Sequence, residues 1–192
     1  MKGFTLIETL AVVAITGLVG VGLLGMIAYF YRSNAFLLES TSAVDSASRG
    51  LRESIALVRE ASYSEEGAYP IAVAATSSLT FYADTDNDLA VERVRLYVQN
   101  GTFYRTQNQA AGSPPSYGAT SSPATIATWV KNATSTPVFR YYDDAGLEIL
   151  PPVEPARVRR ISARLDVDIN PLRAPNILVL EGGATVRNLR TD

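Results

Sequence analysis

The chain has neither cysteine nor histidine in its 192 residues. The first absence removes any disulfide frame and any thiolate metal site. The second removes the usual general base and the commonest transition-metal ligand. The chain is therefore expected to be no enzyme and to carry no cofactor. Net charge is small as well, since 17 basic against 19 acidic side chains leave a formal −2. That balance implies neither a nucleic-acid nor an anionic-membrane partner for the chain as a whole. Two local absences are sharper. No proline precedes Pro70, and no charged residue occurs from Thr9 to Tyr31.

That uncharged run lies between Glu8 and Arg32. As a helix it would be about 35 Å long, enough to cross a hydrocarbon core of about 30 Å. It is too long for the apolar part of a secretory signal, and no A-x-A cleavage site follows it. Lys2 and the initial amine favour a cytoplasmic N-terminus, with everything after Arg32 on the far side of the membrane. Glu8 is the anomaly. A carboxylate at the mouth of an apolar helix needs compensation, although its place in the first turn suits the helix dipole. Gly17, Gly20, Gly22 and Gly25 lack G-x-x-x-G spacing, so simple helix dimerisation is not indicated. They suit either a helix that loosens locally on leaving the bilayer or the glycine content common in membrane helices.

The opening Gly3-Phe4-Thr5-Leu6-Ile7-Glu8 resembles the processing site of type IV pilins and the related pseudopilins. The resemblance implies cleavage by a prepilin peptidase between Gly3 and Phe4, N-methylation of Phe4, and Glu8 as the fifth mature residue. It further implies that Glu8 of one subunit pairs with the Phe4 amine of its neighbour in a filament. The alternative is a signal-anchor helix whose Glu8 lies in the headgroup region. The chain departs from many pilins in having no proline within the apolar helix. Leu79 to Asp84, Glu92 to Arg95, Phe139 to Asp143 and Val186 to Leu189 are similar to stretches of minor pilins and of J-type minor pseudopilins of type II secretion. The missing cysteines depart from major pilins whose C-terminal loop is closed by a disulfide. The implied partners are the peptidase, other pilin or pseudopilin subunits, and the inner or cytoplasmic membrane. The implied role is a structural and assembly subunit, with a filament-tip binding module (adhesin or DNA-uptake pilin) as the alternative.

Helical periodicity continues past the apolar run. Leu37, Val44, Ala47, Leu51, Ile55 and Val58 mark one apolar stripe, and Asp45, Arg49 and Glu53 form an alternating-sign i, i+4 series on a solvated face. One helix is expected from Phe4 to Ala61. Strand and turn signals follow: Ser78–Tyr82, a turn at Thr85–Asp88, Val91–Val98, and Asn100-Gly101 as a hairpin turn before Thr102–Arg105. Gln107 to Pro123 reads as an exposed loop, Thr125 to Val130 as a short strand or helical turn, and Pro137 to Tyr142 as a strand. Ile161, Ala163, Leu165, Val167 and Ile169 alternate with Ser162, Arg164, Asp166 and Asp168, which buries one face. Asn176–Leu180 and Ala184–Leu189 suggest a last strand bent at Gly182-Gly183.

These signals give an α+β chain, its long N-terminal helix packed through the second half on an antiparallel sheet domain. The divisions are a leader over residues 1–3, an apolar half-helix over 4–31, an amphipathic half-helix over 32–61 and a β domain over 62–192.

Other residues carry weaker signals. Asp84, Asp86 and Asp88 have the i, i+2, i+4 spacing of a calcium loop, but Leu89 stands where such a loop needs glycine and Arg95 where it needs a bidentate glutamate. A solvated hairpin turn is the preferred reading, and no metal is expected. Arg157, Arg159, Arg160 and Arg164 offer cations for DNA phosphates but read better as a solvated strand face. Tyr69, Tyr82, Tyr97, Tyr104, Tyr141 and Tyr142 offer a carbohydrate patch, against the commoner fate of core and rim tyrosines. Asn100-Gly101-Thr102 and Asn132-Ala133-Thr134 fit the glycosylation sequon.

Overall fold

A computed structural model describes residues 5–118, 121–169 and 177–189. The chain is α+β, with one long N-terminal helix and antiparallel sheets. The helix, α1, spans Leu6–Arg59. It begins at a Thr5 cap and ends where Glu60 and Ala61 donate to Leu57 O and Val58 O, three residues back. Arg59 in the last turn complements the helix dipole. The expected start at Phe4 lies outside the described residues. Compact units divide at residue 42, giving 1–42 and 43–192, and each is described by itself.

In the first unit no described side chain from Thr5 to Ser42 is buried. The most apolar window of the helix has a mean hydropathy of 2.5. This is one helix long and apolar enough to cross a membrane. Leu37, placed by periodicity at the head of the packing stripe, is 55% exposed. The stripe takes effect only in the second unit.

There Ala47, Leu51, Ile55 and Val58 are all buried, as the i, i+4, i+8, i+11 spacing requires. Complete burial of an aliphatic side chain of this size contributes about 1.5–3 kcal/mol. On the opposite face Asp45 and Arg49 form the expected i, i+4 pair at 2.8 Å, while Glu53 turns to Arg105 of a strand at 2.6 Å.

Ten strands follow among the described residues: β1 Ile71–Ala74, β2 Ser78–Ala83, β3 Glu92–Gln99, β4 Thr102–Asn108, β5 Ala110–Ala111, β6 Ser116–Tyr117, β7 Ala124–Ala127, β8 Phe139–Tyr142, β9 Arg160–Val167 and β10 Leu178–Thr185. They form a five-stranded sheet in the order β1-β2-β3-β4-β7, a three-stranded sheet β10-β9-β8 and a ribbon β5-β6. All pairings are antiparallel. Asn100 and Gly101, at φ 50° and 72°, make the two-residue turn between β3 and β4. Phe81, Phe103, Phe139, Leu96, Ile161 and Leu165 fill the core. Tyr141 joins the two sheets, its buried O–H donating to Ala75 O at 2.7 Å just after β1. Burial pushes that phenol well above the usual tyrosine range.

Several expectations fail in detail. Gln107 to Pro123 is not a plain loop: β4 extends into it, and the β5-β6 ribbon folds Tyr117 against Tyr82 at 5.2 Å between centroids. Thr125 to Val130, expected as a short strand or helical turn, is strand only as far as Ala127, the end of β7, while Val130 makes a single bridge to Val167. No bend marks Gly182-Gly183, because β10 pairs with β9 without interruption from Leu178 to Thr185. The two glycines are there for clearance. A Cβ on Gly182 would come within 3.2 Å of Ile55 Cγ1, and one on Gly183 within 3.2 Å of Ile161 O. Asp166, assigned to the solvated face of β9, is only 7% exposed, because Arg164 Nε donates to its carboxylate at 2.8 Å and Asn132 Oδ1 accepts its N–H.

Gly50 explains how α1 reaches the five-stranded sheet. A Cβ there would collide with Ile126 Cγ2 of β7. A glycine-to-alanine change inside a helix ordinarily gains about 1 kcal/mol. Gly50→Ala is expected instead to lose about 1–3 kcal/mol by overpacking, read as a lower thermal midpoint of the full chain in neutral detergent. Gly50→Ala with Ile126→Ala, which removes the colliding Cγ2, is expected to recover part of the loss, and a raised midpoint in the single variant would refute the close approach.

Candidate functional site

Two places in the chain gather polar groups with chemical potential. The first is the start of α1. Thr5 is its N-cap and Glu8 stands three residues on. The Glu8 N–H donates to Thr5 Oγ1 at 3.4 Å, and the Thr5 N–H and hydroxyl both donate to Glu8 Oε2 at 3.0 Å. This is a reciprocal capping box, which satisfies two helix-end donors at once. Glu8 Oε1 accepts no hydrogen bond among the described residues. The carboxylate therefore stands at the positive end of a long helix with one oxygen open. Gly3 and Phe4, the expected cleavage and methylation residues, lie outside the described residues. Thr5 was not singled out by the sequence reading, although a threonine three residues before a glutamate at the head of an apolar run is a legible cap signal.

The second place is the β2–β3 loop. The carboxylates of Asp84, Asp86 and Asp88 lie within 4.8 Å of one another. The loop's own N–H groups engage them: Asn87 N and Leu89 N donate to the two oxygens of Asp84 at 2.7 and 3.1 Å, Asp88 N to Asp86 Oδ1 at 3.3 Å, and Ala90 N to Asp88 Oδ1 at 2.8 Å. Gln109 Nε2 donates to the other Asp88 oxygen at 3.1 Å. Leu89 adopts φ 74°, the conformation a glycine would take more easily. These are the residues that would hold a hard cation such as calcium. Arg95 lies three residues further along β3 than Glu92, and it is the Glu92 carboxylate that closes the loop. Glu92 is 4% exposed and its Oε2 accepts the Thr85 N–H and hydroxyl, each at 2.8 Å. Its place in the inward phase of β3 with Val94 and Leu96 was readable from alternation, and its clamp on Thr85 was not.

The four arginines do not form a cationic track. Arg157 faces Asp143 at 3.7 Å. Arg159 donates to Tyr69 Oη at 3.2 Å and to Ala156 O at 2.8 Å. The Arg160 guanidinium lies over the Tyr142 ring at 5.4 Å. Arg164 joins Asp166 and Glu181. The six tyrosines also separate. Tyr141 is core, Tyr69 donates to Ala156 O at 3.2 Å, and Tyr97 and Tyr104 stack at 5.4 Å on the solvent face of the five-stranded sheet. The Asn132 side-chain amide donates to Thr136 O and Arg164 O, so that sequon nitrogen is held in the structure. No known family model matches the chain, and no curated protein matches it.

The two bonds that Asp84 accepts fasten the aspartate loop by itself. Asp84→Ala is expected to lower stability by about 1–2 kcal/mol, equally in calcium and in excess chelator. A loss seen only in calcium would instead assign the three aspartates to an ion.

Proposed function

We propose that the chain is a pilin-like minor subunit of a type IV pilus or type II secretion pseudopilus, a structural and assembly protein and not an enzyme. The observation that carries this reading is the capped glutamate at the head of an unburied apolar helix whose continuation packs a β domain. A soluble protein gains nothing from such a helix, and a plain membrane anchor has no use for a fixed carboxylate at its mouth. In the proposed mechanism a prepilin peptidase cuts between Gly3 and Phe4 on the cytoplasmic side. The stretch from Thr9 to Tyr31 holds the subunit in the membrane with the β domain outside. The subunit then passes into a filament, where the Phe4 amine of a neighbour meets the open oxygen of Glu8. An isolated charge in that apolar setting would be strongly disfavoured, so the pair sets the register.

Two experiments bear on this. Gly3→Ala is expected to accumulate as an unprocessed membrane precursor when co-expressed with a prepilin peptidase, as intact mass would show. Normal trimming would remove the cleavage assignment. Glu8→Gln separates charge from capping, because a neutral amide oxygen still accepts the Thr5 N–H. The expected outcome is normal cleavage, with incorporation into sheared filaments reduced as severely as in Glu8→Ala. Incorporation of Glu8→Gln at the wild-type level would leave Glu8 as a helix cap only.

A further inference from the structure

We propose that the solvent face of the five-stranded sheet is a binding site for an acidic saccharide, a sugar unit bearing a carboxylate or phosphate. This does not depend on the assembly role above. Register places the site. Tyr82 pairs with Arg93, Thr80 with Arg95 and Ser78 with Tyr97 across β2 and β3, while Arg93, Arg95 and Tyr97 face Asn108, Thr106 and Tyr104 across β3 and β4. Side chains two apart on one strand share a face, so Arg93 and Arg95 stand side by side. Between β1 and β4 they line a concavity of about 400 Å³ together with Ser78, Thr80, Tyr82 and Asn108. That volume lies in the range of small-ligand sites.

The charge of this concavity is one-sided. Neither Arg93 nor Arg95 has a carboxylate partner among the described residues, and no acid lines the cavity. Each guanidinium is instead laid on an aromatic ring, Arg95 over Tyr97 at 4.7 Å and Arg93 over Tyr117 at 5.6 Å. Arg93 is further fixed by a 2.8 Å bond to Gly118 O. Glu66, at the Tyr117 end, spends one oxygen on the Tyr117 N–H at 3.1 Å. A guanidinium placed over a ring and left without a carboxylate among the described residues is free to make bidentate contact with a carboxylate or phosphate.

The remaining lining selects the rest of the ligand. The hydroxyls of Ser78, Thr80 and Tyr82 can both give and accept hydrogen bonds, which suits a polyhydroxylated ring. A nucleic-acid strand fits less well. It needs open aromatic faces for base stacking, whereas Tyr97 has Arg95 over it and Tyr104 stacked beside it, and Tyr82 is only 7% exposed. The chain's net charge of −2 also opposes a long polyanion.

The test is calorimetric titration of the full chain in neutral detergent micelles with trigalacturonate, a neutral galactose trisaccharide, inorganic phosphate and oligothymidylate. Saturable binding of trigalacturonate is expected, weakened about tenfold or more by Arg95→Gln and by Arg93→Gln. Arg140→Gln, which removes one charge from β8 of the other sheet, is expected to bind as wild type. Unchanged thermal midpoints of the two sheet-face variants would show that the loss is not unfolding. The proposal is overturned if trigalacturonate fails to bind or if the neutral sugar binds equally well. It is overturned too if phosphate alone binds as tightly, or if oligothymidylate binds more tightly through the same arginines.

Discussion

The β domain depends on one stripe of α1. Among the described residues Ala47, Leu51, Ile55 and Val58 are the buried apolar side chains of α1, with Leu57 partly buried beside them, and they join a core shared by two sheets that have no strand in common. Two glycines set the distances. Gly50 admits Ile126 of β7 on one side, and Gly182 of β10 admits Ile55 on the other. The helix thus touches an outer strand of each sheet at van der Waals range. Interiors of this density respond to single methyl groups, so a small residue at each contact is as much a part of the fold as the large ones between them.

The same helix changes its solvent requirement partway along. Up to Ser42 none of its described side chains is buried, and from Ala47 onward one face is sealed. Nothing in the backbone marks the change, since α1 is one continuous element. Only the side chains differ: an apolar girdle without charge gives way to a stripe with Asp45, Arg49 and Glu53 opposite. A hydrophobic surface that cannot be buried at home must be covered by lipid or by other chains, and the proposed assembly role supplies both in succession.

Much of this fold was legible in the sequence. The strict alternation of Ile161 to Val167, the Asn100-Gly101 turn and the i, i+4 stripe of α1 are local signals, and local signals survive folding. What was missed depends on distant partners. Gly182-Gly183 reads as a bend until Ile55 and Ile161 are placed against it. Asp166 reads as solvated until Arg164 and Asn132 close over it. Tyr117 lies in a stretch of glycine, proline and serine that hides a ribbon, and its ring matters only once Tyr82 and Arg93 are beside it. The arginine-tyrosine face was half visible: Arg93, Arg95 and Tyr97 alternate plainly, but Tyr104 joins them through strand register. At the N-terminus the glutamate was conspicuous and its threonine was not, because an anomaly of charge is easier to see than the small group that tames it.

That threonine has an entropic implication. A solvent-exposed glutamate ordinarily samples many rotamers and must surrender them when it docks. With Oε2 tethered to Thr5, Glu8 has given up much of that freedom before any cation arrives. Its remaining oxygen points from a fixed stem. In the proposed assembly a partner amine would meet a carboxylate already partly ordered, and less of the entropic toll of pairing would fall on Glu8.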